Sequence, residues 1–216
     1  MCTLRFCWKM QILNYETNPC YASIFFLSLL FVLRETGFAI VIMGVSGSGK
    51  STVAESLANA IGCKFVEADD FHAPSNKEKM KSGVPLSDSD RFPWLESLRN
   101  AIRENIEHGH NVTLSCSALL KKYREILRSA DCNYQPGNYT QCKVKFVCLE
   151  APVGVLMERM KRRSEQGLHF MPSCLLQSQL DLLQLEQDEE IIRIDATMRL
   201  GSILEFIIDL LNKNWN

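Results

Sequence analysis

Residues Gly44-Val45-Ser46-Gly47-Ser48-Gly49-Lys50-Ser51-Thr52 read G-x-x-x-x-G-K-S-T, and they leave the surrounding chain little choice of fold. The run before them, 38–43, is apolar and β-type, and 52–61 carries a helical pattern. A glycine-rich turn between strand and helix lets successive backbone N–H groups point inward around phosphates. The helix N-terminus adds partial positive charge there. In such a loop Lys50 is expected to reach the β- and γ-phosphates and the Ser51 hydroxyl to sit on Mg²⁺, with the backbone of residues 44–52 around the nucleotide.

The rest of the chain repeats strand and helix. Strands are expected at 63–68, 111–115, 143–149 and 191–195. Helices are expected at 77–81, from Pro93 past Ile106, and at 121–128, 152–163, 175–185 and 202–211. Ser75 or Asn76 is read as the cap of the first of these, and 83–90 and 131–141 as loops. This alternation predicts an α/β fold, a parallel sheet with right-handed crossovers flanked by helices. The ligand then lies at the carboxyl ends of the strands.

Composition sets limits. The 216 residues are 46% hydrophobic, enough for one domain with a sizeable core. A formal net charge of −1 provides no field to recruit nucleic acid or an anionic membrane. Lys and Arg gather instead at 121–128 and 159–163, which suits a small anionic substrate. Nine cysteines without a C-x-x-C pair or a Cys/His metal spacing fit free thiols in a reducing compartment, with the cytoplasm as the expected location. The chain before Gly37 is of another kind. Residues 17–33 carry no charge and 24–33 are densely apolar, after Arg5 and Lys9. A membrane- or organelle-directing segment, an extra element packed on the domain and a non-native start each fit that pattern. The latter two are preferred, because the first core strand follows within a few residues. The expected division is an extension at 1–37 and a P-loop domain at 38–216.

Acids are needed beside Ser51 for the metal. The third strand ends Leu114-Ser115-Cys116-Ser117 with none, whereas the second ends in Glu67, Asp69 and Asp70. Asp69 is assigned to the metal and to the acceptor hydroxyl, where it can accept a proton, with Asp70 as the alternative. His72 can donate to a substrate oxygen. Arg91 and Arg124 have the planar fork that matches a carboxylate. Trp94 is read as core. Arg159, Arg162 and Arg163 precede a Gly-containing break that holds His169. They suggest a mobile lid at about 159–172, the alternative being an exposed basic helix end that favours the helix dipole.

Several runs together resemble gluconokinases of the P-loop, shikimate-kinase-like type, and plant members in particular. They are Met43–Thr52, Glu67-Ala68-Asp69-Asp70-Phe71-His72, Asn76–Met80, Gly83–Leu95, Cys116-Ser117-Ala118-Leu119 with Tyr123-Arg124, and His169-Phe170-Met171-Pro172 with Leu175–Gln179. The resemblance implies a nucleoside-kinase-like fold. It also implies ATP- and Mg²⁺-dependent phosphorylation of D-gluconate to 6-phospho-D-gluconate for the pentose phosphate pathway, and often a homodimer. By motif position it gives Lys50, Asp69 and Arg124 catalytic roles. Asp69, Asp70, His72, Arg91, Arg124 and His169 go to the substrate, and Arg159, Arg162 and Arg163 to the nucleotide. Leu120 departs from the pattern, standing where the family has a basic residue. The rivals are a kinase for another small anion such as shikimate, and a nucleotide-binding protein without turnover. A guanine-reading N-K-x-D run is absent from the later strands, which argues against a nucleotide switch.

Overall fold

The computed structural model describes residues 37–165 and 175–214. The apolar run after Phe38 forms β1 (Ala39–Met43), buried at all five positions. A strand can be apolar on both faces only where both are covered. β1 lies between β3 (Val112–Ser115) and β4 (Val144–Glu150), with β2 (Lys64–Glu67) and β5 (Ile192–Asp195) outside them. The five described strands run in the order β2-β3-β1-β4-β5. Every pairing is parallel, and Glu67 of β2 stands beside Ser115 of β3, which stands beside Ile42 of β1. That register brings three strand ends together where the phosphate-binding loop begins.

The intervening helices are α1 (Lys50–Ile61), α2 (Pro74–Lys81), α3 (Asp88–Glu107), α4 (Lys121–Arg128), α5 (Val153–Glu165), α6 (Leu175–Leu182) and α7 (Leu200–Asn214). Period-two alternation sends Ala39, Val41 and Met43 to one side of the sheet. There they share a core with Leu95, Leu98 and Ile102 of α3 and Tyr123 and Leu127 of α4. On the other face, Thr113 donates through Oγ1 to the carbonyl of Ala54 in α1 (2.9 Å), and α1 packs against α7. The chain enters the domain at Gly37, where a side chain would meet the Ile106 carbonyl oxygen at 2.5 Å, so only glycine fits there.

The alternating α/β pattern stands as expected, with strand ends shifted by a residue. Helix boundaries are corrected, among them α7, which spans Leu200–Asn214 where 202–211 is expected. α2 begins at Pro74, which occupies its first turn, where a missing N–H is harmless; neither Ser75 nor Asn76 caps it. Instead Asn76 donates through Nδ2 to the Asp90 carbonyl (3.0 Å) and ties α2 to α3. α3 starts at Asp88, five residues before Pro93, because Ser87 and Asp90 form a capping box. Ser87 N–H donates to Asp90 Oδ2 (2.9 Å) and Asp90 N–H to Ser87 Oγ (3.3 Å). With Lys79 beside it as well, the Asp90 carboxyl is held down at about 2. α6 ends at Leu182. The apolar run 24–33 lies outside the described residues, and no helix among those described is long and apolar enough to cross a membrane.

Candidate active site

The loop between β1 and α1 is built by backbone. Gly44, Gly47 and Gly49 have φ of +138°, +82° and +94°, which side-chain-bearing residues rarely adopt. A side chain at Gly44 would strike the Leu149 carbonyl oxygen at 2.7 Å, so β4 packs directly under the loop, and Val45 anchors it among Leu119, Leu156, Met160 and Leu176. A Cβ on Gly49 would meet nothing within 4 Å. The Ser48 hydroxyl is buried without a hydrogen-bond partner. An open cradle with an unsatisfied donor beside it suits phosphate oxygens. Lys50 donates through Nζ to the Val45 carbonyl (3.0 Å). Burial lowers its pKa, and the nearby Asp69 and Glu67 charges pull it back up.

Lys50 and Ser51 share one cleft of 440 Å³ with Glu67, Asp69, His72 and Arg91. Ser51 Oγ lies 3.3 Å from Ser115 Oγ. Glu67 pairs with Ser115 at the strand ends, close to both serine hydroxyls. Its pKa is raised, chiefly by burial and further by Asp69, while the serines oppose the rise. A carboxylate, a serine hydroxyl and a second carboxylate are hard oxygen donors of the kind that suit Mg²⁺. Glu67 therefore takes a larger place than the sequence reading gave it, where it was a third acid without a role. The parallel pairing of Glu67 with Ser115 is the cause, and that pairing is not visible in either strand alone.

The opposite wall is made of side chains held by side chains. Arg91, at the start of α3, donates through Nη1 to the Tyr123 hydroxyl (3.2 Å), and that hydroxyl donates to Asp88 Oδ1 (2.6 Å). His72 is buried and stacked on Trp94, with ring centroids 4.2 Å apart and planes 15° from parallel. Trp94 donates its Nε1 hydrogen to the Ala68 carbonyl (2.8 Å), fixing the short helical turn Ala68–Phe71 that carries Asp69. His72 Nε2 stands 4.0 Å from Asp69 Oδ1, and its Nδ1 has no partner. Trp94 is thus core and cleft wall at once. Tyr123 and Gln179, whose Oε1 accepts from the Ser46 N–H (2.7 Å), also line the cleft. Only the long-range contacts single these two out.

Other expected residues fall elsewhere. Asp70 is exposed, outside the cleft lining, and offers its backbone carbonyl to Lys77. Thr52 is exposed on α1. Arg124, expected at the acceptor, is fully buried, and the reason is Glu189. Arg124 Nε donates to Glu189 Oε1 (3.0 Å), Nη2 to Oε2, and Nη1 to the Ala118 and Leu119 carbonyls. The basic run 121–128 is likewise self-neutralised, with Lys121 on Glu186 and Asp188 and Lys122 on Asp88. Of the expected nucleotide arginines, Arg163 lines the cleft. Arg159 donates to the Ala196 carbonyl (2.9 Å), and Arg162 pairs with Glu158 at the surface. His169, and the expected lid beyond Glu165, lie outside the described residues. Leu120 packs against the main core.

The chain is similar to known proteins over most of its length. Residues 40–185 match the family described as an AAA domain. A gluconokinase of Arabidopsis thaliana is 48% identical over 181 residues, covering 82% of this chain and 96% of that protein. A crystal structure of a gluconokinase from Sinorhizobium meliloti has 41% identity and a TM-score of 0.66, covering 83% of this chain and 94% of that one. An unliganded sugar kinase from Janibacter has 39% identity and a TM-score of 0.72 over 82% and 95%.

Proposed function

The chain belongs to the gluconokinase family, a group of P-loop kinases, and from that premise we propose how its cleft phosphorylates D-gluconate at the 6-hydroxyl with ATP. The observation that carries the reading is the convergence of Lys50, Asp69 and Arg91 on one cleft. A phosphoryl donor and a hydroxyl acceptor can meet there.

The backbone amides of the loop bind the phosphates, and Lys50 exchanges the Val45 carbonyl for phosphate oxygens. The added negative charge offsets the burial that now lowers the Lys50 pKa. Ser51, Glu67 and Asp69 would hold Mg²⁺. When bound, the ion neutralises charge on the phosphate oxygens. Asp69 orients the 6-hydroxyl and takes its proton as that oxygen bonds to the γ-phosphorus and the bond to the β-bridging oxygen breaks, releasing ADP. Arg91 takes the carboxylate in its planar fork. His72 addresses a sugar hydroxyl, and Arg163 adds positive charge on the phosphate side. Asp70 and Arg124 have no direct part. A cytoplasmic homodimer completes the reading.

The test is ADP release, coupled to a dye, with D-gluconate, other sugar acids and shikimate. Turnover with gluconate and none with shikimate is expected. Equal turnover with shikimate, or ATP binding without any acceptor-dependent ADP release, overturns it. Sedimentation of the purified chain checks the dimer.

A further inference from the structure

Arg124 sits one residue after the cleft tyrosine, yet points away from the cleft into the protein. Its guanidinium joins the turn just before α4 to Glu189, which lies 65 residues farther along the chain. Nε and Nη2 grip both carboxylate oxygens of Glu189, whose side chain, like that of Arg124, is wholly buried. Nη1 donates to two successive carbonyls, Ala118 (2.9 Å) and Leu119 (3.0 Å). Arg128 braces the same carboxylate from the next turn of α4, through Nη1 (2.8 Å), and is itself flanked by the rings of Tyr139 and Phe146. Burial alone would push the Glu189 carboxyl up. The hydrogen bonds from Arg124 and Arg128 outweigh it and hold the pKa below the ordinary value, so the brace is ionic at neutral pH.

What the brace holds is a strained turn. Ala118 is buried with φ of +43°, a left-handed conformation that is costly for alanine and persists only where surrounding contacts enforce it. The residues on either side of it, Ser117 and Leu119, line the cleft. The Ser117 carbonyl also accepts from Gly44 N–H (3.3 Å), and the Leu119 carbonyl from Gln184 N–H (2.9 Å). Farther along, the turn leads into α4 and Tyr123, which carries Arg91.

We propose that Arg124, with Glu189, is a positioning residue for the acceptor side of the cleft, holding the Ser117–Leu119 turn in its left-handed shape so that Tyr123 and Arg91 present a fixed face to the sugar acid. This rests on the functional reading above. It differs from a ligand role for Arg124 in a way that can be measured, because Glu189 never meets the substrate. Arg124→Lys keeps the charge but cannot bridge a carboxylate and two carbonyls together. Glu189→Gln keeps the shape but removes the charge that orients Arg124.

Both variants are expected to raise the KM for gluconate about tenfold while the KM for ATP moves less than about twofold. A direct contact between Arg124 and gluconate predicts the KM rise in Arg124→Lys alone, and that result overturns the proposal. A brace that serves only folding predicts lower melting temperatures with both KM values unchanged, which also overturns it, as does a rise in the ATP KM equal to that for gluconate. Breaking one partner of a buried ion pair can prevent folding, so the charge-free pair Arg124→Met with Glu189→Leu is measured beside them. Replacing both charges together is commonly tolerated. A raised gluconate KM in that folded protein supports the brace, and an unchanged one overturns it. The unsubstituted chain is the control. Absence of its gluconate-dependent ADP release defeats the functional reading, whereas normal turnover with unaffected variants defeats only this inference.

Discussion

On the phosphate side of the cleft, the chain offers mainly backbone: three glycines with positive φ, a buried serine hydroxyl and one lysine. On the acceptor side it offers side chains supported by other side chains, Arg91 on Tyr123 on Asp88 and His72 on Trp94. A wall of amides binds whatever carries phosphate and tolerates few changes, because its geometry is set by φ and by β4 packed beneath it. A wall of side chains can discriminate among acceptors, since each contact is a separate residue, and it is adjustable for the same reason. Damage to the two walls should therefore appear in different kinetic constants.

Lys50→Met gives the largest effect. It removes the one cation the loop itself supplies to the phosphates, and about 10²–10³-fold in kcat, about 3–4 kcal/mol, is the expected loss. Gluconate binding, measured by calorimetry without nucleotide, should be nearly unchanged. A Lys50→Met protein with full turnover, or one that no longer binds gluconate, breaks the separation of the walls. Arg91→Ala is the counterpart. Losing a charge-assisted contact to a carboxylate costs about 1.5–3 kcal/mol, so kcat/KM for gluconate should fall about 10–100-fold, chiefly through KM. An equal rise in the ATP KM would place Arg91 on the phosphate side instead.

The same contrast explains what could be read in advance. The phosphate wall is contiguous in sequence, nine residues between an apolar strand and a helix, and its glycines announce the backbone they permit. The alternation of elements gave the parallel sheet for the same local reason. The acceptor wall is assembled across the chain. Tyr123 reaches Arg91 over 32 residues, and Arg124 finds Glu189 over 65. Sequence alone treats Arg91 and Arg124 as equals. The buried Glu189, in the acidic run 186–190 between α6 and β5, separates them. Pro93 misled differently. Proline is at home in a first turn, but here a capping box at Ser87 and Asp90 had already started the helix.

Tyr123→Phe sharpens the comparison with a smaller change. The ring and its packing remain, and only the hydroxyl between Arg91 and Asp88 is removed. One hydrogen bond to a charged group that keeps other neighbours is worth about 1 kcal/mol, so the gluconate KM should rise about 3–10-fold, with kcat and the ATP KM unchanged. Loss of kcat without a KM change would mean that Tyr123 acts on the transferring group and not on Arg91.

The smallest expected effect concerns stability. Burial against Trp94 lowers the His72 pKa below its ordinary 6.5; the Asp69 charge pulls it upward, while Lys77 and Arg91 push it down. The unfolded chain therefore takes up a proton at this residue at a higher pH than the folded protein does. Between the two pKa values the unfolded state binds more protons, so stability rises with pH there. The stabilisation is fully present above about pH 6.5 and is lost as pH falls toward the folded-state pKa. His72→Phe keeps a ring on Trp94 and removes the titration. Urea unfolding at pH 7.5, 6.5 and 5.5 should then show a flatter loss of stability in the variant than in the parent. Parallel lines would mean that His72 is protonated as readily in the folded protein as in the unfolded chain, and that the acceptor wall does not keep it neutral.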